Sequence, residues 1–153
     1  MKLNFKILVA LILTLMMSCS EKQEKNVITA KDILGNPEYL AISYGGYREI
    51  TRDVQPTIAQ LKEDMILLNA MGVKLLRTYN VHLAQASNLL KAISELKQEN
   101  PNFEMYVMLG AWIDCKNAFT ELEPNHFEES ERNSKEIATA VELAKQYPQI
   151  VKI

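Results

Sequence analysis

The fold is decided by the stretch Val73-Lys74-Leu75-Leu76-Arg77-Thr78-Tyr79. It is short, rich in β-forming residues and directly preceded by Gly72, so it predicts a strand that starts where a helix ends. The preceding helix is predicted because apolar residues recur at three- and four-residue steps after Pro56. These are Ile58, Leu61, Met65, Leu68 and Met71.

The same alternation of strand and helix continues on both sides of this stretch. The apolar run from Tyr39 to Tyr44 ends at Gly45-Gly46, which predicts a buried first strand. A second helix is predicted from Ala84 to Gln98, ended by Asn100-Pro101. The remaining predicted elements are a third strand from Phe103 to Leu109, a long polar loop, a third helix with Ser134, Ile137, Val141 and Ala144, and a fourth strand beginning at Ile150-Val151-Lys152-Ile153.

Strands and helices that alternate with short connections predict an α/β fold with parallel strands. A doubly wound sheet and a (β/α)8 barrel both use this order, and the barrel needs about 250 residues. The chain reaches Ile153 just as a buried strand begins. We therefore expect residues 39–153 to be the N-terminal half of a (β/α)8 TIM barrel, with three βα units and the start of strand four, in a truncated chain.

The first residues have the layout of a secretory signal peptide. Lys2 and Lys6 precede an unbroken apolar run from Ile7 to Met17, which is too short for a permanent membrane span. We expect residues 1–18 to be removed, and residues 19–38 to form a tether and lead-in to the folded domain. The alternative is a plain secreted protein in which Cys19 is incidental.

Cys19 follows the apolar run at the position where bacterial lipoproteins carry an acylated thiol. The stretch Leu15-Met16-Met17-Ser18-Cys19 resembles a lipobox, although Met16 holds the place in which that motif usually has leucine. The sequence therefore predicts an exported protein with a lipid on Cys19, attached to a bacterial membrane at the outer membrane or cell surface.

The charge balance and the cysteine content exclude several classes of function. Loss of residues 1–18 removes two lysines and no acidic residue, so the formal net charge changes from −2 to −4, and no nucleic-acid partner is expected. If Cys19 carries lipid, Cys115 has no intrachain disulfide partner. Cys115 and His82 follow neighbouring strands, but no third group is placed to orient them as a thiol nucleophile. No phosphate loop, dinucleotide fingerprint or zinc-type spacing occurs, and we expect neither a cofactor nor a metal.

Three strand ends carry a family resemblance. Ser43-Tyr44-Gly45, Leu76-Arg77-Thr78-Tyr79 and Val107-Met108-Leu109-Gly110-Ala111-Trp112 resemble, in order and spacing, the corresponding strands of glycoside hydrolase family 17, the β-1,3-glucanases. The resemblance extends from about Leu40 to Ile153. It implies a (β/α)8 barrel that cleaves β-1,3-glucosidic bonds with retention, and a β-glucan or oligosaccharide as the bound partner.

The resemblance also implies where the catalytic groups lie. The family uses an acid/base glutamate at the end of strand four and a nucleophilic glutamate at strand seven. Neither position occurs within these 153 residues, so no catalytic residue is assigned and the chain is expected to be inactive alone.

Substrate-binding residues are expected at the carboxyl ends of the strands, where barrel enzymes carry their sites. The candidates are Tyr44, Arg77, Tyr79, Trp112 and Asp114. For the aromatic residues the alternative is packing at a half-buried rim, and for Asp114 it is a turn. Arg77 shares a strand face with Tyr79, and a charge facing a barrel interior needs a carboxylate partner, for which we expect a glutamate beyond Ile153; otherwise it is a solvated arginine.

Two other functions fit the same residues. The chain is then either a non-catalytic surface lipoprotein that binds glycans, or part of a glucan transglycosylase, which uses the same covalent intermediate. A different barrel enzyme that shares only the fold is a further alternative.

Overall fold

The computed structural model describes residues 27–152. The signal-peptide and Cys19 predictions lie outside these residues. The described elements, in chain order, are α1 (Ala30–Ile33), β1 (Leu40–Ser43), α2 (Ile58–Ala70), β2 (Val73–Arg77), α3 (Ala84–Glu99), β3 (Tyr106–Met108), β4 (Cys115–Lys116), β5 (Asn125–Glu129) and α4 (Arg132–Gln146). Within residues 27–152, none of the helices has the length and apolar character needed to span a bilayer.

Strands β1, β2 and β3 form a parallel sheet in that spatial order. The start of the predicted fourth strand continues the series, because Val151 forms a parallel bridge with Val107 of β3. The Val107 N–H donates to the Ile150 carbonyl at 3.0 Å, and the Lys152 N–H donates to the Val107 carbonyl at 3.2 Å. Each strand thus lies beside the next one in sequence, as in part of a (β/α) barrel. Closure of the barrel stays a prediction.

The main core lies between the sheet and helices α2 and α3. Leu76 of β2 and Val107 of β3 belong to this buried cluster. The helices bury Leu61, Met65, Leu89, Leu90 and Ile93. Because side chains alternate along a strand, Leu75 and Tyr106 point to the opposite face, where they meet Ile33 of α1. The segment assigned as lead-in therefore contributes a buried residue to the sheet.

The boundaries of α2 follow from its capping residues. The Thr57 hydroxyl accepts the Gln60 N–H at 3.2 Å, and the Gln60 side chain accepts the Thr57 N–H at 2.9 Å, which completes a capping box. After the helix, Gly72 has φ +85°, a left-handed conformation that glycine adopts without strain. The predicted end of the helix at Gly72 is confirmed.

Two details differ from the sequence prediction, and a third, the docking face of α4, was not predicted. Strand β1 was expected to be buried, but in the described sheet it pairs only with β2, and Leu40 is 52% exposed. The expected polar loop contains an antiparallel hairpin of β4 and β5. Helix α4 leaves Ile137 and Val141 exposed, because it docks through a neighbouring stripe of side chains that includes Asn133 and Glu136.

Candidate functional site

A cleft of about 790 Å³ opens at the carboxyl edge of the parallel sheet. The loops after β2 and β3 form two of its sides, and the first half of α4 forms a third. Its lining residues are Arg52, Asn80, Val81, His82, Leu83, Trp112, Asp114, Phe119, Arg132, Lys135, Glu136 and Thr139. Of the five predicted substrate-binding residues, the structure places Trp112 and Asp114 together in this cleft.

Trp112 is held in the cleft by the carboxylate of Asp114. The indole Nε1–H donates to Asp114 Oδ1 at 2.6 Å, and Asp114 Oδ2 forms an ion pair with Arg132 at 2.9 Å. Phe119 lies beside the indole, with ring centroids 6.1 Å apart and the rings tilted by 53°. Because Trp112 remains 37% exposed, its ring can meet a ligand while its polar edge stays satisfied.

Asn133 of α4 fixes the backbone of this loop. Its side-chain oxygen accepts the Asp114 N–H at 3.0 Å, and its Nδ2 donates to the Asp114 carbonyl at 2.9 Å. The amide therefore pairs with both backbone groups of one residue, as a neighbouring strand would. Asn133 is only 1% exposed, so this contact is shielded from competing water.

Glu136 joins α4 to the loops after both β2 and β3. Its Oε1 accepts the Val81 N–H at 2.7 Å and the Trp112 N–H at 3.1 Å, and its Oε2 lies 3.0 Å from His82 Nδ1. Burial raises the pKa of this carboxyl, but the two backbone N–H groups and His82 outweigh burial and hold the pKa below its ordinary value of 4.5. The site thus contains an ionised, fully engaged carboxylate that the sequence analysis did not identify.

Tyr44 lies outside this cleft, at the junction of β1 and α2. Its hydroxyl donates to Asp64 Oδ2 at 2.5 Å, and Arg48 forms an ion pair with the same carboxylate at 2.8 Å. Burial, and then the neighbouring Asp64, raise the pKa of Tyr44 well above its ordinary value of 10. Its ring packs against the main core, so this hydroxyl and much of the ring are engaged within the chain.

Arg77 and Tyr79 lie together, but they do not line the cleft. The Arg77 guanidinium carbon is 5.6 Å from the centre of the Tyr79 ring, a cation–π distance. Among residues 27–152, no carboxylate lies within 4.0 Å of Arg77. The expected glutamate partner for this arginine therefore stays a prediction.

His82 and Cys115, which the sequence analysis weighed together, have different surroundings. His82 pairs with Glu136, and Cys115 lies in β4 as a free, half-buried thiol. In the acidic hairpin, Glu128 pairs with Lys116 at 2.7 Å, on the protein surface. The described part of the chain contains no group of three or more histidine, cysteine or acidic side chains arranged to hold a metal ion.

One solved structure resembles this chain closely. It is the crystal structure of an endo-laminarinase from Formosa Hel1_33_131, which is 66% identical over 82% of this chain and superimposes with a TM-score of 0.80. The chain spans 32% of the length of that protein. No family model matches the chain, and no curated protein does. The identity supports a relationship between this chain and a glucan-degrading enzyme.

Proposed function

We propose that these residues form the opening portion of a retaining glycoside hydrolase of family 17, and that the cleft beside Trp112 binds its β-1,3-linked glucan. The observation that carries the proposal is the 66% identity to an endo-laminarinase over 82% of the chain. The position of the cleft supports it, because barrel enzymes bind substrates at the carboxyl ends of their strands. So does an exposed indole with its polar edge already bonded, which presents an apolar face to a sugar ring.

Catalysis is not assigned to any residue of the chain. Retaining hydrolysis needs one carboxylate as nucleophile and another as proton donor, about 5 Å apart. In the cleft, both oxygens of Asp114 and both of Glu136 are already engaged in hydrogen bonds or ion pairs. We therefore expect the 153-residue chain to bind glucan and to release no reducing sugar from it. Turnover by this chain would contradict the assignment of both catalytic glutamates to later strands.

The binding experiment uses the single tryptophan as its reporter. Titration of the full chain with a β-1,3-linked glucose hexamer is expected to change Trp112 fluorescence saturably, because this is the only tryptophan of the sequence. A β-1,4-linked glucose hexamer serves as the linkage control. Absence of any response, together with absence of heat in calorimetry, would refute the cleft as a glucan site.

A matched pair of variants distinguishes binding in the cleft from non-specific binding to exposed apolar surface. Trp112→Ala is expected to weaken binding of the β-1,3 hexamer roughly 3- to 10-fold by calorimetry, the size of one aromatic contact. Phe127→Ala is the control, because Phe127 is fully exposed on the hairpin and does not line the cleft. Equal losses in both variants would argue for a non-specific apolar surface.

Export and lipid attachment are a second part of the proposal. The basic start, the apolar run and the position of Cys19 support a lipidated N terminus. Expressed in a bacterium with a labelled fatty acid, the full chain is expected to incorporate label, and Cys19→Ser is expected to abolish incorporation. Label that persists in the Cys19→Ser variant would contradict the assignment.

A further inference from the structure

His82 lines the cleft, and Glu136 fixes one of its two ring nitrogens. Its Nδ1 lies 3.0 Å from Glu136 Oε2, and its side chain is 54% exposed and lines the cleft. Within residues 27–152, Nε2 has no hydrogen-bond partner. The two nitrogens lie on different sides of the ring, so anchoring Nδ1 at the wall leaves Nε2 directed away from Glu136.

Glu136 determines which hydrogen-bonding group that free nitrogen offers. The carboxylate cannot turn away, because its Oε1 accepts the N–H groups of Val81 and Trp112. Its Oε2 is an acceptor, so of the two neutral tautomers of His82 it selects the one with hydrogen on Nδ1. That tautomer leaves a lone pair on Nε2, and the exposed nitrogen is an acceptor.

Acceptors are scarce in the cleft, where the Asn80 amide and the Thr139 hydroxyl are the other neutral side chains able to accept a hydrogen bond. Arg52, Arg132 and Lys135 can only donate hydrogen bonds. The two carboxylates of the cleft, Asp114 and Glu136, are already bonded through both oxygens. Sugar hydroxyls both donate and accept, so a saccharide in this cleft needs acceptors as well as donors.

We propose that His82 is a saccharide-binding residue that accepts a glucan hydroxyl hydrogen bond at Nε2, and that Glu136 is its positioning residue. The inference rests on the proposed function of the cleft, to which it adds a second contact beside Trp112. The ring of His82 supplies the polar contact, and the indole supplies the apolar one.

Two substitutions at His82 separate its nitrogens. Asparagine places an amide near the position of Nδ1, so His82→Asn keeps a donor for Glu136 but removes the nitrogen that faces the cleft. Glutamine places an amide oxygen near the position of Nε2, so His82→Gln keeps an acceptor in the cleft. In calorimetry of the full chain with the β-1,3 glucose hexamer, we expect roughly 3- to 10-fold weaker binding for His82→Asn and about twofold or less for His82→Gln.

The tautomer of His82 tests the positioning role of Glu136 directly. If Glu136 only stabilised the fold, its replacement would leave the hydrogen on Nδ1 of His82. In Glu136→Gln, the amide N–H faces His82 Nδ1, and hydrogen is expected to move to Nε2, which turns the acceptor into a donor. Nitrogen-15 NMR at about pH 8, where an ordinary imidazole is neutral, reports this change. His126, the other histidine of the sequence, lies exposed on β5 and is the internal control.

The outcomes are distinct. If the unsubstituted chain binds the hexamer but His82→Asn binds equally well, or if both His82 variants lose affinity alike, the role of Nε2 is overturned while the proposed function stands. If the tautomer of His82 is the same in Glu136→Gln, the positioning role is overturned. If the unsubstituted chain does not bind the hexamer, the proposed function fails first and this inference fails with it.

Discussion

Replacement of Glu136 by leucine tests how α4 is held against the two loops. The leucine fills much of the same volume but accepts no hydrogen bond. The N–H groups of Val81 and Trp112, which now donate to Glu136 Oε1 at 2.7 and 3.1 Å, would then lose their acceptor. His82 Nδ1 would lose its partner too, but its side chain is more than half exposed and can bond to water.

Two effects of opposite sign decide the result. A buried donor left without an acceptor costs roughly 1–3 kcal/mol, so two such groups cost about 2–6 kcal/mol. Removing a buried carboxylate also removes a desolvation cost, which sometimes makes an apolar replacement neutral or stabilising. Here the partners are backbone groups that remain after substitution, so the first effect is larger. Because the site borders a cleft that admits water, we expect a loss near the lower end, about 2–3 kcal/mol.

Glu136→Gln is the matched control, because its amide oxygen can still accept both N–H groups. It is expected to lose about 1 kcal/mol, the difference between a charged and a neutral acceptor. Urea unfolding of both variants at pH 7, followed by far-ultraviolet circular dichroism, measures the two free energies of unfolding. A leucine variant as stable as the glutamine variant would refute the reasoning, since it would mean that the two N–H groups do not depend on the carboxylate.

The pH dependence of the same pair gives a second check. The pKa of Glu136 is lower in the folded chain than its ordinary value of 4.5, so its ionised form stabilises the fold. That stabilisation is complete above about pH 4.5 and is lost as the pH falls through the lowered pKa of the folded state. The stability difference between the unsubstituted chain and Glu136→Gln is therefore expected to be constant near neutral pH and to shrink in acid. A difference that grows in acid would contradict the sign of the shift.

Three further predictions concern the framework of the site. In Gly110→Ala the new methyl group meets the backbone carbonyl of Thr78, which cannot rotate away. The free energy of unfolding, measured by thermal unfolding, is expected to fall by about 3 kcal/mol or more. An unchanged melting temperature would contradict this packing. Tyr44→Phe removes the hydroxyl bonded to Asp64 and is expected to cost about 1 kcal/mol in urea unfolding, and no loss would show that the bond contributes nothing. Leu89→Ala, at a fully buried position, is expected to cost about 2–5 kcal/mol in the same assay, and a loss below 1 would indicate a loosely packed core.

The sequence predicts the framework well because its signals are local. The spacing of apolar residues and the glycine after α2 define helices α2 and α3 and the strand β2 between them. Burial of β1 was predicted wrongly because an apolar run does not reveal how many neighbours a strand has. The hairpin of β4 and β5 was missed for a related reason, since β4 has only two residues, β5 is polar and acidic, and they pair with each other.

The docking face of α4 shows where periodicity alone fails. Ser134, Ile137, Val141 and Ala144 recur at helical spacing and predict the helix, but Ile137 and Val141 are exposed. The docking stripe lies one residue away, about 100° around the helix. It contains the buried residues Asn133, Glu136 and Leu143 and the partly buried Ala140, and Tyr147 continues it just past the helix end. Its spacing is equally regular, but its first two members are polar. Recognising it requires knowing that backbone N–H groups of two loops lie against this face of the helix. That information comes from the tertiary structure and not from the local sequence.

The polar side chains of α4, Asn133 and Glu136, determine the geometry of the cleft. Asn133 fixes the backbone of Asp114, whose carboxylate orients Trp112, and Glu136 fixes His82 and the N–H of Trp112. Each proposed sugar contact is thus held by a side chain of the helix as well as by the strand that precedes it. The geometry of the proposed sugar site therefore depends on how α4 docks, and we expect a substitution of Asn133 or Glu136 to change affinity even where it touches no ligand.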